Sequence, residues 1–325
     1  MANLSATTGP VSLLGLDPAT YKPHLLHAPE RTYREINCYA DILIELLHAR
    51  AQEPLAAMGA TVQMDFEGDQ WTFFKPAPED LQQLYGLDVH EMQPYRALPE
   101  QIAEQIASGR TITVELDSWF LPDTAATSYR AEHVKSSIVP EAIDLEGQTL
   151  RYFHATGLHA LSDEDYRGVF RLDDRRPDEL PPYTELVRFD AGDPLQDAEL
   201  REASRELLRT RLQRRPATNP FVRFGAQLER ELPRLLDGDA SDYHAYAFAT
   251  VRMAGSGFEA AGSHIDWLFG DAGAQAQEAA GRIVEGCKAL SFRLARRRAF
   301  EPQDAVAGIA VAWDETMARL DELGS

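Results

Sequence analysis

Cys38 is the residue whose type and position most favour covalent chemistry. It opens the run CYADILIELLHAR, in which apolar residues recur at helical spacing and Asn37 stands at a plausible N-cap position. The pattern predicts a helix whose first turn carries the thiol, where the helix dipole and free backbone N–H groups favour the thiolate. Cys38 is therefore a candidate nucleophile. The alternative interpretation is a small buried apolar side chain, the common fate of a free cysteine.

The second cysteine, Cys287, lies in the helical run EGCKALSFRL, where small residues suit close helix packing. We interpret Cys287 as a structural residue. Because the chain has only 2 cysteines, in segments of different character, the sequence does not predict a disulfide framework.

A thiol nucleophile also needs a base, and His133 begins the β-rich run HVKSSIV. An exposed loop residue is the alternative interpretation, since the chain has 9 histidines. A third group should orient the imidazole, and the candidates are Asp117, Asp123, Asp144 and His154. Asp144 would lie about 36 Å from His133 on a straight strand. His154 and Asp117 end neighbouring predicted strands, so we prefer His154, and then Asp117.

Further candidates would contact the substrate. The N–H groups at the start of the helix, together with the Asn37 side chain, are potential donors to an oxyanion. Trp71, with Phe73 and Phe74, is placed to line an acyl pocket, although aromatic residues at strand spacing are more often core. Asp123 is kept as a further substrate contact.

Several functional classes are not supported by the sequence. The chain lacks a phosphate-binding G-x-x-x-x-G-K-[ST] loop, a dinucleotide-binding glycine motif and a G-x-S-x-G elbow. Neither His24 with His27 nor His154 with His159 comes with a convincing third ligand, so no metal site is predicted. A formal net charge of −20 argues against general nucleic-acid binding.

The elements that must position these residues follow an α+β order. After an irregular arm (1–30) come the Cys38 helix, a hairpin in TVQMDFEGDQWTFFK, and short helices in PEDLQQLYGL and PEQIAEQIASG. The runs TITVELDSWF, HVKSSIV, TLRYFHA and TELVRFDAG predict a mostly antiparallel sheet, and the chain is helical in pattern from Gln196 onwards. We therefore predict a catalytic domain at 31–192 and a helical domain at 193–325.

Two further expectations concern location and partners. No run approaches the roughly 20 apolar residues of a membrane helix, and the N-terminus lacks the pattern of a secretory signal, so we expect a cytoplasmic protein without a membrane partner. Arginines cluster at 209–215 and again at Arg293, Arg296, Arg297 and Arg298. These clusters are either a docking patch for an acidic partner or ordinary solvated helix faces.

Four segments together resemble the bacterial family described as domain of unknown function 1839. They are INCYADILIELLHA, MDFEGDQWTFFKP, ELDSWFLPDTAATSYRAEHVKSSI and LPPYTELVRFD. That family is similar, more distantly, to the butirosin-type acyltransferases, which are papain-like thiol enzymes that move an acyl group from a carrier-protein thioester to an amine. The resemblance implies a papain-like domain, with a Cys-bearing helix on an antiparallel sheet, followed by a helical region.

The resemblance also implies the chemistry. The nucleophile falls on Cys38 and the base on His133, while the position of an orienting Asp holds His154. The implied donor is a small aminoacyl group on the 4′-phosphopantetheine of an acidic carrier protein, the acceptor is an amine, and the enzyme needs no cofactor of its own. A thiol hydrolase with the same Cys/His pair and a non-catalytic carrier-binding protein remain alternatives.

Overall fold

The structure is a computed structural model that describes residues 9–173 and 180–324. Its strands and helices are, in chain order, β1 (Val11–Ser12), α1 (Cys38–Ala49), β2 (Phe66–Glu67), β3 (Gln70–Trp71), α2 (Pro78–Tyr85), β4 (Asp88–Met92), α3 (Leu98–Ala107), β5 (Thr111–Asp117), β6 (Lys135–Asp144), β7 (Thr149–His154), β8 (Gly157–Ser162), α4 (Asp163–Val169), β9 (Thr184–Arg188), α5 (Asp197–Leu212), α6 (Pro220–Asp237), α7 (Ala240–Ala247), α8 (Met253–Phe269), α9 (Ala274–Ala295) and α10 (Pro302–Gly324).

These elements form two compact units. Within the described residues, the first unit takes in 9–27, 38–53 and 77–195, and the second takes in 28–37, 54–76 and 196–324. Each unit therefore draws on several separate stretches of the chain.

The first unit is built on an antiparallel sheet with the strand order β4-β9-β5-β6-β7-β8, in which β1 also pairs with β6. Helices α1 and α3 both pack against β6. The strand β6 contains Pro140, and the register with β7 shifts between Pro140 and Ala142, because proline cannot donate a ladder hydrogen bond. One core of this unit joins α3 and α4 to the sheet through residues such as Ile102, Val114 and Tyr152.

The short helix α2 shows how local sequence sets an element boundary. Pro78 stands in its first turn, and Gly86 ends it in the left-handed conformation with φ 64°. A Cβ at Gly86 would also overlap the backbone carbonyl of Gly192, so glycine is required there for two reasons.

The second unit combines the helices α5 to α10 with the β2–β3 hairpin and the segment 28–37. Glu259 on α8 accepts backbone hydrogen bonds from Thr32 and Tyr33, and Gly255 on α8 lets the Tyr33 ring approach the helix closely. This segment is thereby fixed to the helices of the second unit.

The expected fold class is confirmed in its coarse form: the protein is α+β, with an antiparallel sheet and a helical C-terminal region. The sequence analysis missed β1, β4, β8 and α4. It also extended one strand over the end of the 3-10 helix Pro54–Gln63 and another over the 3-10 helix Ser118–Phe120. The observed units also differ from the linear division expected from sequence, because 28–37 and 54–76 fold with the C-terminal helices. Residues 1–8 of the predicted arm and residues 174–179 lie outside the described residues.

Among the described residues, no helix combines the length and apolar character that a membrane span requires.

Candidate active site

Cys38 is the first residue of α1, and its side chain is partly exposed. The Ser137 hydroxyl on β6 donates to the Cys38 sulfur over 3.5 Å. The sulfur lies at the positive end of the dipole of a 12-residue helix. Cys38 is therefore a partly exposed thiol at the start of a helix rather than a fully buried apolar side chain.

The first half of the helix α1 is anchored by a buried ionic cluster that contains Asp41 and Glu45. His27 lies between these carboxylates, with Nε2 3.3 Å from an Asp41 oxygen and Nδ1 bonded to Glu45, and the Tyr21 hydroxyl donates to Glu45 at 2.5 Å. Burial alone would lower the pKa of His27, but the hydrogen bonds to Asp41 and Glu45 outweigh it and raise the pKa to about 9. Burial would raise the pKa of Glu45, but the hydrogen bonds from His27 and Tyr21 lower it. His27 and Glu45 therefore form an ion pair at neutral pH, which holds the helix that carries Cys38.

His133 is held by Asp117, the last residue of β5. The His133 Nδ1 lies 2.7 Å from Asp117 Oδ2, and the ring stacks on Trp119 with centroids 4.5 Å apart and planes 10° apart. Since Asp117 accepts the proton on Nδ1, the Nε2 atom of a neutral His133 carries the free lone pair. The His133 side chain is 67% exposed, so Nε2 is accessible to reactants.

The register of β5 and β6 places the His133–Asp117 pair and Cys38 on the same face of the sheet. Glu115 pairs with Ser137, and Asp117 pairs with Lys135. Alternate residues of a strand share a face of the sheet, so Asp117, Glu115 and Ser137 all lie on the face where Ser137 contacts Cys38. Asp117 is the diagonal neighbour of Ser137, a relation that separates two residues by about 7–8 Å between their Cα atoms. Among the described residues, no hydrogen bond joins Cys38 directly to His133; such bonds often tighten only when substrate binds.

A third carboxylate, Glu185 on β9, lies on this face of the sheet because it pairs with Thr113 across β5. It accepts hydrogen bonds from the hydroxyls of Thr113 at 3.0 Å and Tyr183 at 2.8 Å. Burial, reinforced by the neighbouring Glu185, raises the pKa of Tyr39, the residue after Cys38. The start of α1 thus packs against a polar, hydrogen-bonded part of the sheet.

A cleft of about 950 Å³ opens at the end of these strands. Polar side chains on its wall include Glu115, Asp117, His133, Lys135 and Tyr183, and apolar ones include Leu98, Leu116, Val134, Phe170, Leu172 and Leu180. Its volume lies within the range of small-molecule binding sites.

His154 does not contact His133. Its Nε2 lies 2.7 Å from the Ser136 hydroxyl, and its Nδ1 lies 2.5 Å from Asp123 Oδ2. Ser136 and Ser137 are adjacent on β6 and point to opposite faces, so His154 lies on the face away from Cys38. The geometry therefore places Asp117, rather than the preferred His154, in the orienting position beside His133. Asp123 likewise faces His154 instead of the thiol.

Two other candidate residues belong to the second unit. The Asn37 side chain donates to the backbone carbonyl of Phe74 at 2.9 Å. Trp71 is 4% exposed and packs among the rings of Phe66, Phe221 and Phe224, so it is a core residue rather than the wall of an acyl pocket.

Cys287, also in the second unit, is fully buried, and burial raises its pKa to about 12. An inert, protonated thiol agrees with the structural interpretation of this residue.

The arginines at the end of α9 are exposed, namely Arg293, Arg296, Arg297 and Arg298. Arg297 donates to the backbone carbonyls of Leu236 and Gly238, and no acidic side chain pairs with any of the four within the described part of the chain. By contrast, Arg215 in the other cluster makes two 2.7 Å hydrogen bonds to Asp321. The α9 cluster is therefore the less neutralised of the two.

Residues 9–173 and 180–324 contain no group of three or more His, Cys, Asp or Glu side chains placed to hold a metal ion.

Comparison with known protein families covers nearly the whole chain. The DUF1839 N-terminal domain matches residues 22–189, and the DUF1839 C-terminal domain matches residues 197–322. No curated protein matches the chain. Cys38, His133 and Asp117 all lie within the N-terminal match.

Proposed function

We propose that this chain, which belongs to the DUF1839 family, is a cysteine-dependent acyltransferase. In this proposal an aminoacyl group passes from the phosphopantetheine thioester of a carrier protein to Cys38 and then to an amine. The observation that supports it best is the partly exposed Cys38 thiol at the start of α1, on the sheet face where Asp117 holds His133. A Cys-bearing helix packed on an antiparallel sheet is also what a papain-like domain would contain.

In the first half-reaction the Cys38 thiol gives its proton to His133 Nε2 as its sulfur attacks the thioester carbonyl. The C–S bond to the pantetheine breaks, and the departing thiolate takes a proton from His133 Nε2. The positive end of the α1 helix dipole lies at Cys38 and would stabilise the oxyanion of the tetrahedral intermediate.

In the second half-reaction an amine attacks the Cys38 thioester, the C–S bond to Cys38 breaks, and the Cys38 sulfur finally regains its proton from His133. His133 Nε2 accepts the proton that the amine loses, while Asp117 keeps the imidazole in the tautomer with Nδ1–H and stabilises the imidazolium. Neither step, as proposed, uses a cofactor of the protein's own.

The arginine cluster at the end of α9 suits an acidic carrier protein. Exposed Phe292 immediately precedes the cluster in sequence and adds an apolar side chain to the basic surface. We propose this patch as the docking surface. Arg296→Glu with Arg298→Glu should raise KM for the loaded carrier about tenfold and leave kcat unchanged, with a stronger effect at low salt.

The matched control for docking is Arg230→Glu, the same charge reversal on exposed α6, where the arginine bonds Gln227 rather than an acid. An equal rise in KM in the control, or an unchanged KM in the double variant, would refute the docking surface.

A thiol hydrolase with the same residues is the second candidate. The 67% exposure of His133 favours it, because water then reaches the general base as readily as an amine does. Whether the acceptor is an amine or water decides between the two functions.

The experiment follows the unloading of an alanyl-carrier protein with and without a set of small amines. A transferase gives an amide product and unloads faster as the amine concentration rises; a hydrolase releases free alanine at one rate in both conditions. Cys38→Ala should abolish unloading, whereas Cys287→Ser should retain it. Unloading at the wild-type rate by Cys38→Ala would exclude both functions.

A further inference from the structure

Ser136, His154 and Asp123 form a continuous hydrogen-bonded chain on the face of the sheet away from Cys38. The Ser136 hydroxyl lies 2.7 Å from His154 Nε2, and His154 Nδ1 lies 2.5 Å from Asp123 Oδ2. The other Asp123 oxygen accepts a 2.5 Å hydrogen bond from the Tyr152 hydroxyl. The order hydroxyl, imidazole, carboxylate is that of an activated serine nucleophile.

The surroundings of Asp123 set the protonation of this chain. Burial would raise the pKa of Asp123, but the hydrogen bonds from His154 and Tyr152 lower it, so the group is a carboxylate at neutral pH. His159 Nε2, 3.9 Å away, adds to the polar environment. An ionised Asp123 accepts the Nδ1 proton of a neutral His154, which leaves the Nε2 lone pair to accept the Ser136 proton.

Ser136 is the accessible end of the chain. It is partly exposed, whereas the His154 and Asp123 side chains are 6% and 8% exposed. Its register partner Leu116 and its same-face neighbour Val134 both line the cleft at the strand ends. The apolar side chains of Leu116 and Val134 beside Ser136 would suit an apolar acyl group.

We propose that Ser136 is a second nucleophile, with His154 as its base and Asp123 as the residue that orients it, and that this site cleaves esters of apolar carboxylic acids. Ser136 Oγ attacks the ester carbonyl and gives its proton to His154 Nε2. The carbonyl's bond to the alkoxy oxygen breaks, and the leaving alcohol takes that proton. Water then adds to the acyl-serine, loses a proton to His154, and releases the acid as Ser136 regains its proton. The net reaction is ester plus water to acid plus alcohol.

The test uses the full chain carrying Cys38→Ala, so that no signal comes from the thiol. A fluorescent fluorophosphonate probe and hydrolysis of p-nitrophenyl butyrate are measured with and without Ser136→Ala. The matched control is Ser162→Ala, an exposed strand serine whose hydroxyl donates to Asp163 at 2.6 Å and has no histidine partner.

We expect mass spectrometry to locate the phosphonate label on the peptide that contains Ser136. Ser136→Ala should lose the label, and its ester hydrolysis should fall about 100-fold or more, while Ser162→Ala retains both. Asp123→Asn, provided that it melts like the parent, should lower hydrolysis by a similar factor.

The absence of label on Ser136, or equal ester hydrolysis with and without the Ser136 hydroxyl, would overturn the proposal. Ser136, His154 and Asp123 would then have only a structural role, in which their hydrogen bonds hold the turn Pro122–Thr124 against the sheet. Because the assay lacks Cys38, its outcome is independent of the acyl-transfer function.

Discussion

The buried cluster of His27, Asp41 and Glu45 should make the stability of α1 depend on pH. The folded pKa of His27 is raised from 6.5 to about 9, so its stabilisation is fully present below about pH 6.5 and is lost as the pH rises through 9. At 1.36 kcal/mol per pKa unit, the loss amounts to about 3 kcal/mol. The pKa of Glu45 is lowered, so its contribution is present above its ordinary value of 4.5 and is lost as the pH falls further. The plateau of stability therefore lies between about pH 4.5 and 6.5.

The perturbation is His27→Gln, which removes the cation and leaves two buried carboxylates without it. Breaking a buried ion pair from one side costs about 3–5 kcal/mol, and the glutamine amide recovers part of this as hydrogen bonds. We expect a loss of about 3 kcal/mol at pH 6.5, and about 100-fold faster hydrogen exchange of the α1 amides. The variant should also lack the alkaline decline in stability that is expected of the wild type.

The assay is hydrogen exchange of α1 peptides by mass spectrometry at pH 6.5, 7.5 and 9, corrected for intrinsic exchange rates, together with urea unfolding. The matched control is His90→Gln, which removes an exposed histidine 2.6 Å from Asp88 and should cost about 0–1 kcal/mol. Equal α1 protection in His27→Gln and wild type at pH 6.5, or a wild-type protein equally stable at pH 6.5 and 9, would refute this reasoning.

Two further predictions test the base and the second unit. Asp117→Asn should lower the acyl-transfer rate about 100-fold or more, because His133 loses the hydrogen-bond acceptor that fixes its tautomer. The melting temperature should not change. An unchanged rate would show that Asp117 does not orient His133 in the reaction. Gly255→Ala should destabilise the second unit by about 1–3 kcal/mol in urea unfolding, because the added Cβ would overlap the Tyr33 ring. The control Gly281→Ala adds a Cβ in open space on α9 and should stabilise the unit by about 0.5–1 kcal/mol. Similar changes in the free energy of unfolding for both variants would contradict the close packing at Gly255.

The helix at Cys38 could be predicted from sequence because its apolar residues keep a helical period through most of the element. The sheet was foreseen for a similar reason: β5, β6 and β7 are rich in β-branched and aromatic residues. The short strand β4 escaped detection because DVHEM has few such residues and is held by pairing with β9.

The partners of the histidines could not be predicted in the same way. Whether His154 faces Cys38 depends on strand register, and a shift of one residue would reverse every side chain. Sequence placed His154 and Asp117 at the ends of neighbouring strands, but only the pairing of β5 with β6 shows that Asp117 shares the face of Ser137. The adjacent residues Ser136 and Ser137 were a signal that the sequence offered for two separate hydrogen-bonded groups, because neighbouring side chains on a strand point to opposite faces of the sheet.

The division into units was also beyond the sequence analysis. Residues 28–37 lie immediately before the Cys38 helix, yet they fold with α8 through Glu259 and Gly255. Such contacts join residues more than 200 positions apart, and no local pattern records them.

The central claim is that Cys38 accepts an acyl group, and the most direct measurement is the intact mass of the protein after brief mixing with an alanyl-carrier protein and quenching in acid. The account predicts a mass increase of one alanyl group, located on the peptide that contains Cys38, absent from Cys38→Ala and removed by adding an amine. A wild-type protein that stays unmodified while the carrier is unloaded, or an adduct that persists in Cys38→Ala, would contradict it.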